Sequence, residues 1–139
     1  MDIRRMGEAD IPEVARLYLK AYEVDWNEAG AQKYLGKFHG IEPESCFVAL
    51  HEGKIAGAIM AYSYERETGL VLFIQELFVD PEVRNAGTGK KLIAWLRDSF
   101  TLAAKVKITP LVKADTNVLN FYNSLGFERD RAVSFMDGF

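Results

Sequence analysis

The sequence of 139 residues predicts one α+β domain over residues 1–139, with a mixed, mostly antiparallel central sheet flanked by helices. Three observations predict it: helical apolar periodicity near the N-terminus, three consecutive hairpin-linked strands in the middle, and a strand–helix–strand unit after them. The aromatic content of 12% and the net charge of −3 exclude a disordered chain.

The first part of the chain predicts a strand followed by two helices. Residues 3–6 are predicted to form a short first strand. Apolar residues then recur from Ile11 to Tyr22 at helical spacing, with Asp10 and Pro12 as start signals. A second helical pattern covers residues 28–39, and we expect Gly40 to close it.

The remaining elements follow from changes in period. Strands are predicted at residues 45–50, 54–64 and 70–79, the first two joined by a two-residue turn at Glu52-Gly53. We then expect a long helix over 87–104, a strand over 106–112, a short helix starting at Asp115 or Asn117 and ending at Gly126, and a last strand within 132–136. The predicted order is β-α-α-β-β-β-α-β-α-β.

Charge is unevenly distributed along the chain. Residues 1–81 carry 8 Lys and Arg against 14 Asp and Glu, whereas residues 82–113 carry 7 against 2. The basic segment indicates an anionic ligand held at one place, with little attraction for nucleic acid; the alternative is a chance cluster of surface lysines. No apolar run approaches the length of about 18 residues that a membrane span needs. The single Cys46 excludes an internal disulfide and a zinc site, so we expect a cytoplasmic protein without a metal.

The most informative segment is a glycine-rich loop at the start of the long predicted helix. Gly87 and Gly89 allow close approach of a ligand to the backbone, and the first helical N–H groups favour an anion. Arg84 and Lys90 add positive charge. These features predict a phosphate site, but the glycine spacing fits neither a Walker loop nor a dinucleotide fingerprint.

The Arg84-Asn85-Ala86-Gly87-Thr88-Gly89 run after Asp80-Pro81 resembles the acyl-CoA pyrophosphate loop of the GNAT family, the Gcn5-related N-acetyltransferases. The segment 116–127, ending in Phe121-Tyr122-Asn123-Ser124-Leu125-Gly126-Phe127, resembles the family's second CoA-side helix. Asn85 replaces a frequent glycine and Val83 a frequent aromatic. Asp115 stands where Asn is common, with Asn117 as a candidate substitute.

The resemblance implies transfer of an acetyl group from acetyl-CoA, as co-substrate, directly to a primary amine. It implies that the backbone amide of Phe78 or Val79 stabilises the oxyanion. The residues implied to bind the cofactor are Leu77, Phe78, Val79, Arg84, Asn85, Ala86, Gly87, Thr88, Gly89, Lys90, Asn117 and Tyr122. Tyr122 matches the general acid that protonates the leaving thiolate; the alternative is a core aromatic residue.

Glu76 is the candidate base, because the family often places a carboxylate at this end of the fourth strand. It could instead bind the ammonium, or lie on a solvated strand face. Strand alternation puts Glu76 and Phe78 on one side and Gln75 on the other, unless a bulge changes the parity.

The acceptor side is predicted from the region that varies in the family. Asp25 and Glu28 near Trp26 suit a cationic amine through ion pairing and cation–π contact; the alternative is a solvated connector. A non-catalytic acyl-CoA sensor is the competing function, and the resemblance leaves both a monomer and a homodimer open.

Overall fold

The computed structural model describes residues 1–83, 86–100, 104–110 and 117–138. They divide into two compact units, Met1–Thr109 and Pro110–Phe139. The first unit holds five strands: β1 (Asp2–Arg5), β2 (Cys46–His51), β3 (Lys54–Arg66), β4 (Gly69–Val79) and β5 (Ala104–Ile108). Its helices are α1 (Ile11–Tyr22), α2 (Glu28–Ile41) and α3 (Thr88–Asp98), and the second unit holds α4 (Asn117–Ser124).

The sheet has the order β1-β2-β3-β4-β5, so each strand pairs with its neighbours in the sequence. The pairs from β1 to β4 are antiparallel, and β5 joins β4 in parallel through the α3 connection. The predicted turn between β2 and β3 is confirmed: Glu52 and Gly53 both have positive φ, 52° and 78°, as a tight hairpin of this twist requires. The structure confirms the α+β class and the mostly antiparallel sheet.

Helices α1 and α2 cover one face of the sheet. Their fully buried side chains, with those of the strands beneath, form one core cluster: Val14, Ala15, Ala31, Leu35, Cys46, Val48, Ala58 and Met60. The spacing of the α1 residues at i and i+3 or i+4 is the one that predicts this helix from the sequence. Cys46 is a buried free thiol.

Helix α3 covers the opposite face. A Cβ atom added at Gly57 of β3 would lie 3.0 Å from Thr88 Cγ2 and 3.3 Å from Leu92 Cδ1, so Gly57 faces α3. Its neighbour Ala58 belongs to the core under α1 and α2. The alternation of faces along β3 therefore explains the three-layer arrangement of the first unit.

Two predicted helix ends are wrong, each for a physical reason. Gly40 does not close α2, which continues to Ile41 and stops before Pro43, whose ring disfavours helical backbone at Glu42. Helix α3 ends at Asp98 rather than 104, because the Ser99 hydroxyl donates to the carbonyls of Trp95 and Leu96. Phe100 is thus outside the helix, and Ala103 lies outside the described residues.

The predicted last strand is also wrong. Residues 132–138 have no regular secondary structure, and Val133, Phe135 and Met136 are 74%, 96% and 75% exposed. A strand needs a neighbouring ladder to satisfy its backbone, and no described strand pairs with this segment. The predicted strand over 106–112 overlaps β5 only at residues 106–108, because β5 begins at Ala104 and ends at Ile108; residues 111 and 112 lie outside the described residues.

Among the described helices, none combines the length and the apolar composition that crossing a membrane needs. The prediction of one domain over residues 1–139 stays a prediction.

Candidate active site at the end of the fourth strand

The last third of β4 departs from regular pairing at Gln75. Met60 of β3 pairs with Glu76, but the next residue, Ala61, pairs with Ile74, so Gln75 is one extra residue in β4. Such a bulge changes the parity of the side chains that follow it. As a result the side chains of Gln75 and Glu76 both reach Tyr34, and the predicted placement of Gln75 on the other side from Glu76 is wrong.

The same place is where β4 and β5 part. Their parallel pairing ends at Ile74 and Ile108, so no described strand pairs with β4 over residues 75–79 on that edge. The Asp80 N–H donates to the Ala56 carbonyl at 2.8 Å, which continues the β3–β4 ladder. Because alternate residues face the partner in an antiparallel ladder, Phe78 directs its backbone groups toward β3, and Leu77 and Val79 direct theirs to the open edge. This geometry favours Leu77 and Val79 over Phe78 as donors to a ligand.

Two tyrosines from the helices above the sheet form hydrogen bonds with Glu76 and its neighbour Leu77. The Tyr34 hydroxyl of α2 donates to Glu76 Oε2 at 2.6 Å and accepts a bond from Gln75 Nε2 at 3.2 Å. The Tyr22 hydroxyl of α1 donates to the Leu77 carbonyl at 3.1 Å. Glu76 is half-buried, so the alternative of a solvated strand face does not describe it.

The environment of Glu76 changes its acidity. Burial raises the pKa of its carboxyl above the ordinary value, and hydrogen bonds from Tyr34 and Tyr22 hold back part of that rise. Burial and the neighbouring Glu76 carboxylate also raise the pKa values of the Tyr34 and Tyr18 phenols. Tyr34 therefore remains a protonated donor at neutral pH, and Glu76 is a stronger base than an exposed carboxylate.

A chain of aromatic rings surrounds this carboxylate. Tyr18 packs against Tyr22 at 5.0 Å, Phe78 at 5.5 Å and Tyr34 at 5.9 Å between ring centroids. Tyr34 also contacts Trp26 at 6.0 Å. Among the described residues, no Lys, Arg or His forms an ion pair with Glu76. The arrangement suits a ligand cation, which aromatic faces and a carboxylate both attract.

The predicted phosphate loop is described in part. Arg84 and Asn85 lie outside the described residues. Ala86 is exposed, and Gly87, with φ of 75°, is the residue before α3. The first intrahelical bond runs from the Lys91 N–H to the Gly87 carbonyl at 3.0 Å, so the N–H groups of the preceding turn have no partner inside the helix.

The side chains of the loop differ in exposure. Thr88 is buried, at 2% exposed, because it packs over Gly57, whereas Gly89 is half-buried and Lys90 is exposed. The backbone of this turn is therefore better placed than the Thr88 side chain to contact a ligand.

The three predicted acceptor residues differ in their contacts. Asp25 is exposed, and Trp26 is 42% exposed. Glu28 accepts from Arg16 at 2.9 Å and from Gln32 at 3.1 Å, so its charge already has a partner. Among these residues, Trp26 alone is joined to Glu76 through a shared neighbour, Tyr34.

The other two predicted cofactor residues belong to the second unit. Asn117 is the exposed first residue of α4. Tyr122 is half-buried on the same helix, with its ring 4.9 Å from Phe121 and 5.5 Å from Phe127. Asp115 lies outside the described residues.

Sequence reasoning missed Tyr34 and Gln75. Tyr34 is 42 residues before Glu76 and fits the apolar face of α2, so nothing local marks its hydroxyl. The signal for Gln75 was its adjacency to Glu76 at a strand end, but only the pairing register reveals the bulge. The described residues include no group of three or more His, Cys, Asp or Glu that could hold a metal ion.

The comparisons with known proteins agree with this architecture. A Pyrococcus horikoshii OT3 protein is similar over 96% of this chain and 92% of its own, with a TM-score of 0.80 and 19% identity. A ribosomal-protein-alanine N-acetyltransferase from Brucella melitensis biovar Abortus 2308 is similar over the full length of both chains, with a TM-score of 0.74 and 18% identity. These likenesses establish the acyl-CoA N-acyltransferase fold.

A family model described as an acetyltransferase (GNAT) domain matches residues 42–129, more than half of the chain. The chain therefore belongs to the GNAT acetyltransferase family. An aminoglycoside acetyltransferase from an uncultured soil metagenomic sample, solved with trehalose, is 26% identical, with a TM-score of 0.73 and coverage of 99% of this chain and 95% of that one. The comparison with curated proteins gave no significant match.

Proposed function

We propose that this chain transfers an acetyl group from acetyl-CoA directly to a primary amine, with Glu76 receiving the proton of the ammonium. One observation carries the proposal: a half-buried carboxylate, unpaired with any described cation, lies among aromatic rings beside the open edge of β4. A carboxylate in this environment attracts an ammonium and accepts its proton more readily than an exposed one.

The donor side of the proposal uses the open strand edge and the start of α3. The N–H groups of Leu77 and Val79 are the candidates to bind the thioester and pantetheine, because the ladder directs them away from β3. The turn from Ala86 to Lys90, together with Arg84 and Asn85, is assigned to the pyrophosphate by the family resemblance. Asn117 is assigned to the cofactor on the same ground.

The reaction proceeds by direct attack. The ammonium gives one proton to Glu76, and the amine nitrogen forms a bond to the thioester carbonyl carbon. A backbone N–H at the strand edge stabilises the resulting oxyanion, a contribution of about 3–4 kcal/mol in sites of this type. The carbon–sulfur bond then breaks, and the thiolate takes a proton from Tyr122, the residue that the family resemblance assigns to this step. The nitrogen loses its second proton to solvent, and a proton from solvent restores the Tyr122 phenol.

The proposal also covers the acceptor amine, the cellular compartment and the oligomeric state. The neighbours of known activity act on aminoglycosides and on a ribosomal protein's alanine, so they do not agree on one acceptor. The buried free thiol of Cys46 is compatible with a reducing cytoplasm. We leave open a monomer and a homodimer, and a non-catalytic acyl-CoA sensor is the second candidate.

A thiol-release assay with acetyl-CoA and a panel of amines tests catalysis, and a thermal shift with CoA tests binding. We expect CoA to raise the melting temperature by mass action. Tyr122→Phe should lower turnover about 10–10⁴-fold with CoA binding retained, because a phenylalanine cannot protonate the thiolate. Tyr64→Phe changes a half-buried tyrosine of β3; it is the matched control and should leave turnover unchanged.

The outcomes separate the two functions. A CoA-dependent shift without thiol release for any amine would favour the sensor over the enzyme. The absence of a shift at millimolar CoA would contradict both, and full activity in Tyr122→Phe would remove only the general-acid assignment.

A further inference from the structure

The Trp26 indole packs against Gly30 in the first turn of α2, and we call this packing site the Trp26 seat. An ideal Cβ atom at Gly30 would be 2.5 Å from Trp26 Nε1 and 2.6 Å from its Cε2, so the indole lies directly against the backbone of the first turn of α2. The Asn27 side chain accepts from the Gly30 N–H at 2.6 Å and fixes that turn. Glycine is a poor helix former, and the close contact with the indole explains why a glycine stands at this position of the helix.

The seated indole keeps one side in contact with solvent. Trp26 is 42% exposed although it also packs against Tyr34. Tyr34 in turn reaches Glu76 with its hydroxyl. One tyrosine side chain thus separates an exposed aromatic face from a carboxylate that has no ion-pair partner among the described residues.

Three polar side chains of the described residues near this exposed face are already engaged. The Tyr34 hydroxyl both donates and accepts, the Tyr22 hydroxyl donates to a backbone carbonyl, and Glu28 pairs with Arg16. A polyhydroxylated amine would lose hydrogen bonds to water here without gaining enough replacements. An apolar body would instead gain contact with the rings.

We propose that the acceptor is a primary amine on an apolar alkyl or aryl body, with its ammonium against Glu76 and its body against the exposed face of Trp26. This inference rests on the proposed function, because it identifies the substrate class of the same site. Trp26 is then the residue that determines specificity, and Gly30 is its positioning residue.

The test measures amine binding without requiring turnover. The chain has two tryptophans, so Trp95→Phe leaves Trp26 as the only indole reporter. In that background, phenethylamine should quench the fluorescence with saturation, whereas phenethyl alcohol, which lacks the charge, and kanamycin, which lacks the apolar body, should bind at least about 5-fold more weakly.

Two glycine substitutions on one helix test the seat. Gly30→Ala would place a Cβ atom inside the indole, so we expect phenethylamine to bind about 5–30-fold more weakly. Gly36→Ala meets no atom of the described residues within 4 Å, so this variant should bind phenethylamine as the parent does. Circular dichroism checks that both variants fold. Calorimetric titration of Trp26→Ala and of the parent chain with phenethylamine measures the contribution of the indole to binding without fluorescence.

Each result decides the question. Tighter binding of kanamycin than of phenethylamine, or equal binding of phenethyl alcohol, would overturn the substrate class. Equal effects of Gly30→Ala and Gly36→Ala would overturn the role of the seat. Phenethylamine binding with the expected pattern but without acetyl transfer would support this inference and contradict the proposed catalysis.

Discussion

Tyr34 connects α2 to the end of β4 at which we propose the active site. Its hydroxyl donates to Glu76 at 2.6 Å and accepts from Gln75 at 3.2 Å. Its own pKa is raised by burial and by the neighbouring carboxylate, so it does not ionise in the range where Glu76 titrates. Tyr34 is therefore a positioning residue that sets the orientation and the acidity of the proposed base.

Removing the Tyr34 hydroxyl should move the pH profile of the reaction. The hydrogen bond from Tyr34 stabilises ionised Glu76 and so lowers its pKa. In Tyr34→Phe the pKa of Glu76 rises, and the acid limb of kcat/KM should shift to higher pH. The lost bond should also cost about 0.5–1.5 kcal/mol of stability. Rates of thiol release across a pH series measure the shift.

Tyr62→Phe is the control for this experiment. Tyr62 is a half-buried tyrosine of β3 whose ring contacts are with Tyr64 and Phe73. We expect its pH profile to match that of the parent chain. An acid limb that stays in place in Tyr34→Phe, or that moves equally in both variants, would show that Glu76 is not the group titrating in the rate.

At this scale the sequence predicted Glu76 but not its partners. A carboxylate near the end of a strand that precedes a glycine-rich loop can be read from local order. The register of β3 against β4 decides where Gln75 points, and the packing of α2 decides which residue meets Glu76. Both depend on contacts between distant parts of the chain, which periodicity does not encode.

At the scale of elements, the start of α3 depends on Gly57 of β3. The helix begins with Thr88 packed directly over this glycine, at the position where an added Cβ would be 3.0 Å from Thr88 Cγ2 and 3.4 Å from the Phe78 carbonyl. Sequence periodicity predicted a helix here but not its length, because the Ser99 bonds that end it are a local competition with the backbone.

Gly57→Ala should displace the first turn of α3. The added methyl must move either the helix or the edge of β4, and overpacking of this kind costs about 1–3 kcal/mol. Because the N–H groups of that turn are the proposed pyrophosphate donors, KM for acetyl-CoA should rise while the affinity for the amine is kept. Urea unfolding and steady-state kinetics measure the two effects.

Gly40→Ala provides the comparison for Gly57→Ala. Gly40 is an exposed residue of α2, and no atom of the described residues lies within 4 Å of an added Cβ. Alanine should therefore leave the kinetics unchanged and raise stability by about 0.5–1 kcal/mol. If Gly57→Ala lost stability but kept its KM for acetyl-CoA, the assignment of the first turn of α3 to the cofactor would be contradicted.

At the scale of the whole molecule, the sequence predicted the class, the mostly antiparallel sheet and the family, because hairpin-linked strands and two ordered motifs carry that information. It wrongly predicted a strand in residues 132–136, since apolar composition alone does not supply a pairing partner. The sequence alone gives the division of charge, −6 over residues 1–81 and +5 over 82–113. It does not predict the ion pairs that form where the acidic and the basic segments meet.

Lys20 of α1 lies at that junction. Its ammonium is 3.1 Å from Asp80 and 2.9 Å from Glu82, the two carboxylates that precede the predicted phosphate loop. The pairs also raise the pKa of Lys20, so it stays charged at neutral pH. The neutralised carboxylates then repel a polyanionic cofactor less than they would alone.

Lys20→Gln should therefore raise KM for acetyl-CoA about 2–5-fold at low salt, and the difference from the parent chain should shrink as salt screens the carboxylates. Arg16→Gln, on the same helix, removes the same charge but releases Glu28 rather than Asp80 and Glu82. Its KM for acetyl-CoA should stay near the parent value. Equal increases in the two variants would mean that net charge, not the local pairs, governs cofactor affinity, because both lower the total by one unit while only Lys20 faces the residues before the loop.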